Sequence, residues 1–152
     1  QREITGIDYD EEKIETANNC FSKNERINFV AADAMEYAFE EYDAIILADM
    51  LHYLQPGQQT ELIEKCIRHL RPGGTILIRD GNKDLVAKHK GTKLTEFFST
   101  KVVRFNKTSG NGLSYISGQE IESIASERGM TCEVIDSSKY TSNVFIVLKQ
   151  AN

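Results

Sequence analysis

The chain has 152 residues, 40% hydrophobic and 27% charged, the length and composition of one globular domain around a single core. A net charge of −5 argues against the basic surface that general nucleic-acid binding requires. No run approaches the roughly 18 apolar residues of a membrane span, and no signal-peptide pattern opens the chain.

Cys20, Cys66 and Cys132 are odd in number and lack metal-ligand spacing. They are read as reduced thiols of a cytoplasmic domain, with no metal site expected. The chain opens Gln1-Arg2-Glu3-Ile4, without methionine and already entering a strand, so a piece of a longer protein is expected.

Taken in order, Ile4–Asp8 (ITGID) reads as a short strand ending in an acid. Asp10 can cap a following helix with Glu11 and Glu12 in its first turn, and Ile14, Ala17 and Phe21 give that helix an apolar stripe. Ile27–Ala31 (INFVA) is a second strand, closed by Asp33, and 34–41 is a link. Residues 42–54, YDAIILADMLHYL, form the organising stretch. The apolar run 44–48 suits a strand buried on both faces of a parallel sheet. Asp49, His52 and Tyr53 follow where open α/β sheets place ligands, beyond the carboxyl end of a strand.

Pro56 and Gly57 start a helix with Leu62, Ile63, Cys66, Ile67 and Leu70 on its buried face. Arg71-Pro72-Gly73-Gly74 reads as its stop. Residues 75–78 (TILI) are another buried strand, ending at Arg79-Asp80-Gly81. The alternation of strands and helices predicts a mostly parallel α/β sheet.

The segment 82–111 breaks this rhythm. It is basic and carries Phe97-Phe98, with a helix expected near 84–98 and a loop at 108–112. Ser117 with Glu120 makes a capping box for a helix ended by Gly129. Residues 131–135 and 143–148 are the last strands; only seven residues separate them, so they should pair antiparallel.

This order resembles the class I S-adenosylmethionine (SAM)-dependent methyltransferases, from their second strand to their last. The likeness is carried by GID-Y-D, by AAD after the next strand, by YDAIILADMLHYL, by LRPGG before a strand, and by the antiparallel final pair. It implies a Rossmann-like three-layer sandwich with an antiparallel carboxyl-terminal strand. It also implies that residues 1–152 are the carboxyl-terminal part of a methyltransferase domain, whose first strand and glycine-rich turn lie upstream.

By the same resemblance the cofactor is SAM. Asp8 would accept from both ribose hydroxyls, since a carboxylate has two acceptor oxygens, and Tyr9 would pack on the adenine. Asp33 would sit near the adenine amino group, with Ala34 offering its backbone N–H. Ala48 and Asp49 would line the methionine moiety and Met50 would pack nearby; Asp49 could instead cap a turn over 50–53.

His52 falls where many small-molecule methyltransferases carry a histidine, and an imidazole can take a proton near neutral pH; the same position can also serve only to pack the loop. Arg79 and Asp80 would face the substrate, and 88–98, with Phe97 and Phe98, would cover it or form a solvated basic face. A small-molecule or lipid-like acceptor is expected.

Lacking the first strand, the sheet would have a gap beside 42–48, and this chain alone should bind SAM weakly and be inactive. Two other readings remain: a non-catalytic methyltransferase-like interaction module, and a nicotinamide-dependent oxidoreductase. The AAD and LHYL motifs, the antiparallel end and the absence of a Tyr-x-x-x-Lys pair weigh against the latter.

Overall fold

The acidic ends of the first two strands fall side by side. A computed structural model describes residues 2–83, 113–135 and 143–151, and its chain divides into two compact units, Gln1–Glu40 and Glu41–Asn152. In the first, β1 (Ile4–Asp8) and β2 (Ile27–Ala31) are parallel, with Ile4 opposite Ile27 and Asp8 opposite Ala31. Between them α1 (Glu11–Asn18) is capped by Asp10, whose carboxylate accepts from the N–H groups of Glu12 and Lys13 at 3.0 and 3.3 Å.

The helix stops before Phe21. Asn19 closes it, its backbone and side-chain N–H groups both donating to the Glu15 carbonyl. Phe21, expected on the stripe of Ile14 and Ala17, therefore lies past the end and is fully exposed.

The second unit contains β3 (Tyr42–Ala48), a 3-10 turn (Leu51–Tyr53), α2 (Pro56–Arg68), β4 (Leu70–Gly81), α3 (Gly118–Glu127), β5 (Met130–Ile135) and β6 (Asn143–Gln150). Its sheet order is β3-β4-β6-β5. β3 and β4 are parallel, whereas β6 runs antiparallel to β4 and to β5, the latter as their short connection required. Pro56 opens α2, where its missing N–H costs nothing, and Ser117 and Glu120 form the capping box of α3.

One boundary differs from the sequence reading. Leu70 belongs to β4 rather than to the helix, pairing with Tyr42, and pairing resumes at Ala44 with Thr75. Arg71 to Gly74 is thus an irregularity inside the strand. Gly73 supplies its left-handed residue at φ +78, and a side chain on Gly74 would lie 2.9 Å from the Arg71 carbonyl and 3.1 Å from that of Asp43. The glycines serve a bulge, not only a helix stop.

The two faces of this sheet differ sharply. Leu47, Ile76, Ile78, Val144, Ile146 and Leu148 share the buried face, over which Leu62, Ile63 and Cys66 of α2 and Ile121 and Ala125 of α3 complete the core. Register puts Ile46, Leu77 and Val147 on the other face, where Ile46 is 65% exposed against 4% for Leu47. The apolar run of β3 was expected to be covered on both faces. Here β3 is an edge strand, hydrogen-bonded to β4 alone among the described residues.

Candidate active site at the strand ends

Period-two alternation sorts the polar residues at the strand ends onto different faces. In the first unit, Asp8 ends β1 with a half-exposed carboxylate. One oxygen accepts from the Asp10 N–H at 2.9 Å, and the Lys13 ammonium lies 3.6 Å from the other. Tyr9 projects beside it, largely exposed. Asp33 follows β2, its carboxylate accepting from the Met35 N–H at 2.8 Å and its carbonyl from the Tyr37 N–H. Ala34 is half-buried in that turn. These exposed acids at adjacent parallel strand ends fit the acceptor set that a ribose and an adenine amino group require.

In the second unit, Ala48 ends β3 opposite Arg79 of β4. Asp49 turns the chain at φ 52, a left-handed conformation uncommon for a residue with a side chain. Its N–H donates to the Arg79 carbonyl at 2.7 Å; its carboxylate pairs with the Arg79 guanidinium and accepts from the Asn143 amide at 3.2 Å. So Asp49 does not cap the turn that follows, and Met50 precedes that turn without a side-chain cap.

That cap comes from the opposite face. The buried Asp80 accepts from the Leu51 N–H at 2.8 Å, from the Gly81 N–H at 2.7 Å and from His52 Nδ1 at 2.6 Å. A carboxylate that faces three groups has only acceptor oxygens to offer, so the nitrogen of His52 nearest it carries the proton. Nε2 is then the basic nitrogen. It has no hydrogen-bond partner among the described residues. No buried side-chain nitrogen or oxygen lacks a partner there, so Nε2 reaches the surface although the residue is only 9% exposed.

Two tyrosines hold the ring: Tyr53 lies 4.0 Å away, tilted, and Tyr115 5.7 Å away, stacked. Tyr115 also crosses Gly81, where a side-chain carbon would come within 2.6 Å of its ring. Burial, and secondarily the Asp80 charge, push its hydroxyl above the ordinary phenol value.

The structure thus brings Asp49 and Arg79 together on one face, and His52 and Asp80 together on the other. Phe97 and Phe98, the expected helix at 84–98 and the loop at 108–112 lie outside the described residues. Sequence reading missed Asn143, Tyr115 and Gln59. Gln59 had a signal: with Leu62, Ile63 and Cys66 it follows the i, i+3, i+4, i+7 spacing of a buried helix face. No group of three metal-ligating side chains occurs among the described residues, and none of their helices is long and apolar enough to cross a membrane.

Comparison with known proteins agrees with this fold. Residues 1–74 match the family model described as a methyltransferase domain. The chain is 24% identical over 139 residues to the carboxy-S-adenosyl-L-methionine synthase of Desulfotalea psychrophila, covering 84% of this chain and 57% of that protein. It is 35% identical over 77 residues to the phosphoethanolamine N-methyltransferase of Plasmodium falciparum, covering 49% of this chain and 29% of that one. The crystal structure of human N-acetylserotonin methyltransferase in complex with SAM superposes with a TM-score of 0.68 at 24% identity, over 99% of this chain and 41% of that one.

Residues 1–74 are thus similar to a methyltransferase domain, and the chain has the Rossmann-like fold found in class I SAM-dependent methyltransferases. It spans between about a third and three-fifths of the length of these relatives.

Proposed function

We propose that this chain is the carboxyl-terminal part of a cytoplasmic SAM-dependent methyltransferase domain that methylates a small-molecule or lipid-like acceptor. The observation that carries the reading is the 2.6 Å pair of His52, in the turn after β3, and Asp80, in the last residues of β4. SAM would supply an electrophilic methyl group on a sulfonium sulfur. Asp8, Tyr9, Asp33 and Ala34 would hold its nucleoside, and Ala48, Asp49 and Met50 its amino-acid end. Relatives named for transfer to phosphoethanolamine and to acetylserotonin support a small acceptor carrying an amine or hydroxyl.

The role of His52 follows from its bonds. Nε2 takes the proton of the acceptor's O–H or N–H as the methyl group passes to that oxygen or nitrogen. The imidazolium so formed is held by the Asp80 carboxylate.

Orientation carries much of the rate in an in-line displacement, so His52→Gln should slow rather than abolish transfer. A loss of ~10²-fold or more in kcat is the usual scale for a general base. Transfer of labelled methyl from SAM to a panel of small amines and hydroxyl compounds, by a chain extended upstream to include the missing strand, tests this. His52→Gln is expected to lose the limb of the pH–rate profile that rises with base ionisation and to keep its affinity for S-adenosylhomocysteine. Unchanged turnover and an unchanged profile would remove His52 from the chemistry.

Among the described residues β3 pairs on one side only, which supports a further strand beside it, supplied by sequence upstream. The 152-residue chain alone should accordingly bind SAM weakly and turn over little.

A further inference from the structure

We infer that Gln59 is a positioning residue for His52, an inference that rests on the general-base reading of that histidine. Gln59 lies in the second turn of α2 and is 2% exposed, a burial unusual for a polar amide. Its Nε2 lies 2.9 Å from the Leu51 carbonyl, 3.2 Å from that of Leu54 and 2.6 Å from that of Ser114. Three carbonyl oxygens can only be met by the NH2 end of the amide, which fixes its orientation.

These acceptors are the residues that place His52. Leu51 and Leu54 flank the 3-10 turn that presents the imidazole. Ser114 donates its own N–H to the His52 carbonyl at 2.9 Å, and the next residue, Tyr115, stacks on the ring. One amide therefore ties both ends of the His52 turn to the segment that walls the imidazole. Asp80 holds the ring from the side of Nδ1; Gln59 holds the backbone from the side of α2. Without Gln59, the buried carbonyl of Leu51 and the part-buried carbonyls of Leu54 and Ser114 lose a shared NH2 donor, and the turn can tilt away from Asp80.

The test is the tautomer of His52, read by long-range nitrogen–proton NMR on the uniformly 15N-labelled protein. Gln59→Met keeps length and removes the donors; Gln59→Asn keeps the donors but withdraws them by one methylene. Wild type is expected to show one tautomer, protonated at Nδ1. Gln59→Met should shift both ring nitrogens toward the averaged values of a free imidazole while the β4 and β6 amide resonances stay in place. Gln59→Asn should fall between the two, and it carries the test if the methionine variant does not fold.

In the methyl-transfer assay Gln59→Met should lower kcat by roughly ten- to a hundredfold with the acceptor KM unchanged, the scale of a slightly misplaced group. A wild-type tautomer in both Gln59 variants would overturn the positioning role. Full turnover in His52→Gln would instead overturn the general-base reading and leave the NMR result standing.

Discussion

Asp49 and Asp80, at neighbouring strand ends, do different work because Asp49 has left β3 in a left-handed turn at φ 52 whereas Asp80 is still within β4 on its packed face. Asp49 accepts a left-handed backbone and spends both oxygens on Arg79 and Asn143. Asp80, on the packed side, fixes the imidazole and caps its turn. Sequence reading placed both acids beyond the strands, because a run of apolar residues followed by polar ones marks a strand end. It could not divide their partners, because Asn143 lies 94 residues from Asp49 and Asp80 28 from His52.

The cysteines give a test at this scale. Cys20 is exposed, and its bonds to Ser22 lower its thiol value. Burial in α2 pushes the Cys66 thiol up to about 12, so the folded state prefers it neutral. Its contribution to stability is present below pH 9 and is lost as pH rises toward 12. At pH 8, iodoacetamide should label Cys20 first and leave Cys66 unmodified until the chain unfolds, as read by mass spectrometry. Labelling of Cys66 at the rate of Cys20 would contradict the packing of α2.

At the scale of elements, β3 is the segment whose sequence and environment disagree most. Its run Ala44-Ile45-Ile46-Leu47-Ala48 suits burial on both faces, yet register exposes Ile46 and buries Leu47. The sequence records what the strand can bury; the packing present decides what it does bury. The strand–helix alternation, the caps of α1 and α3 and the antiparallel end were legible because each rests on a few neighbouring residues. The bulge at Arg71 to Gly74 was not, since a proline and two glycines also end helices and only the pairing with Tyr42 separates the two uses.

The difference within β3 is measurable. Leu47→Ala should cost about 2–5 kcal/mol, the range of a large-to-small change in a core. Ile46→Thr keeps a β-branched side chain at an exposed site and should stay within about 0.5 kcal/mol. Urea denaturation of both variants reads this; equal losses would mean that the open face of the sheet is covered.

For the whole molecule, the two units differ in how much they bury. Among the described residues of Gln1–Glu40, Ile14 is the one buried apolar side chain, whereas β4, β6, α2 and α3 supply most of the core. With one buried apolar side chain among its described residues, the first unit has little core of its own to resist local opening. Amides of β1 and β2 should exchange with deuterium by local opening, far faster than those of β4 and β6, which should need global unfolding. Equal protection would show the first unit to be as firmly held as the second.

Calorimetric titration with S-adenosylhomocysteine, on this chain and on one extended upstream by the ~30 residues of a strand and helix, tests the methyltransferase reading most directly. Stoichiometric binding by the extended chain, lost in Asp8→Ala and weak or absent in the 152-residue chain, is the expected result. Failure of the extended chain to bind would contradict a SAM-dependent enzyme and favour a non-catalytic module of the same fold.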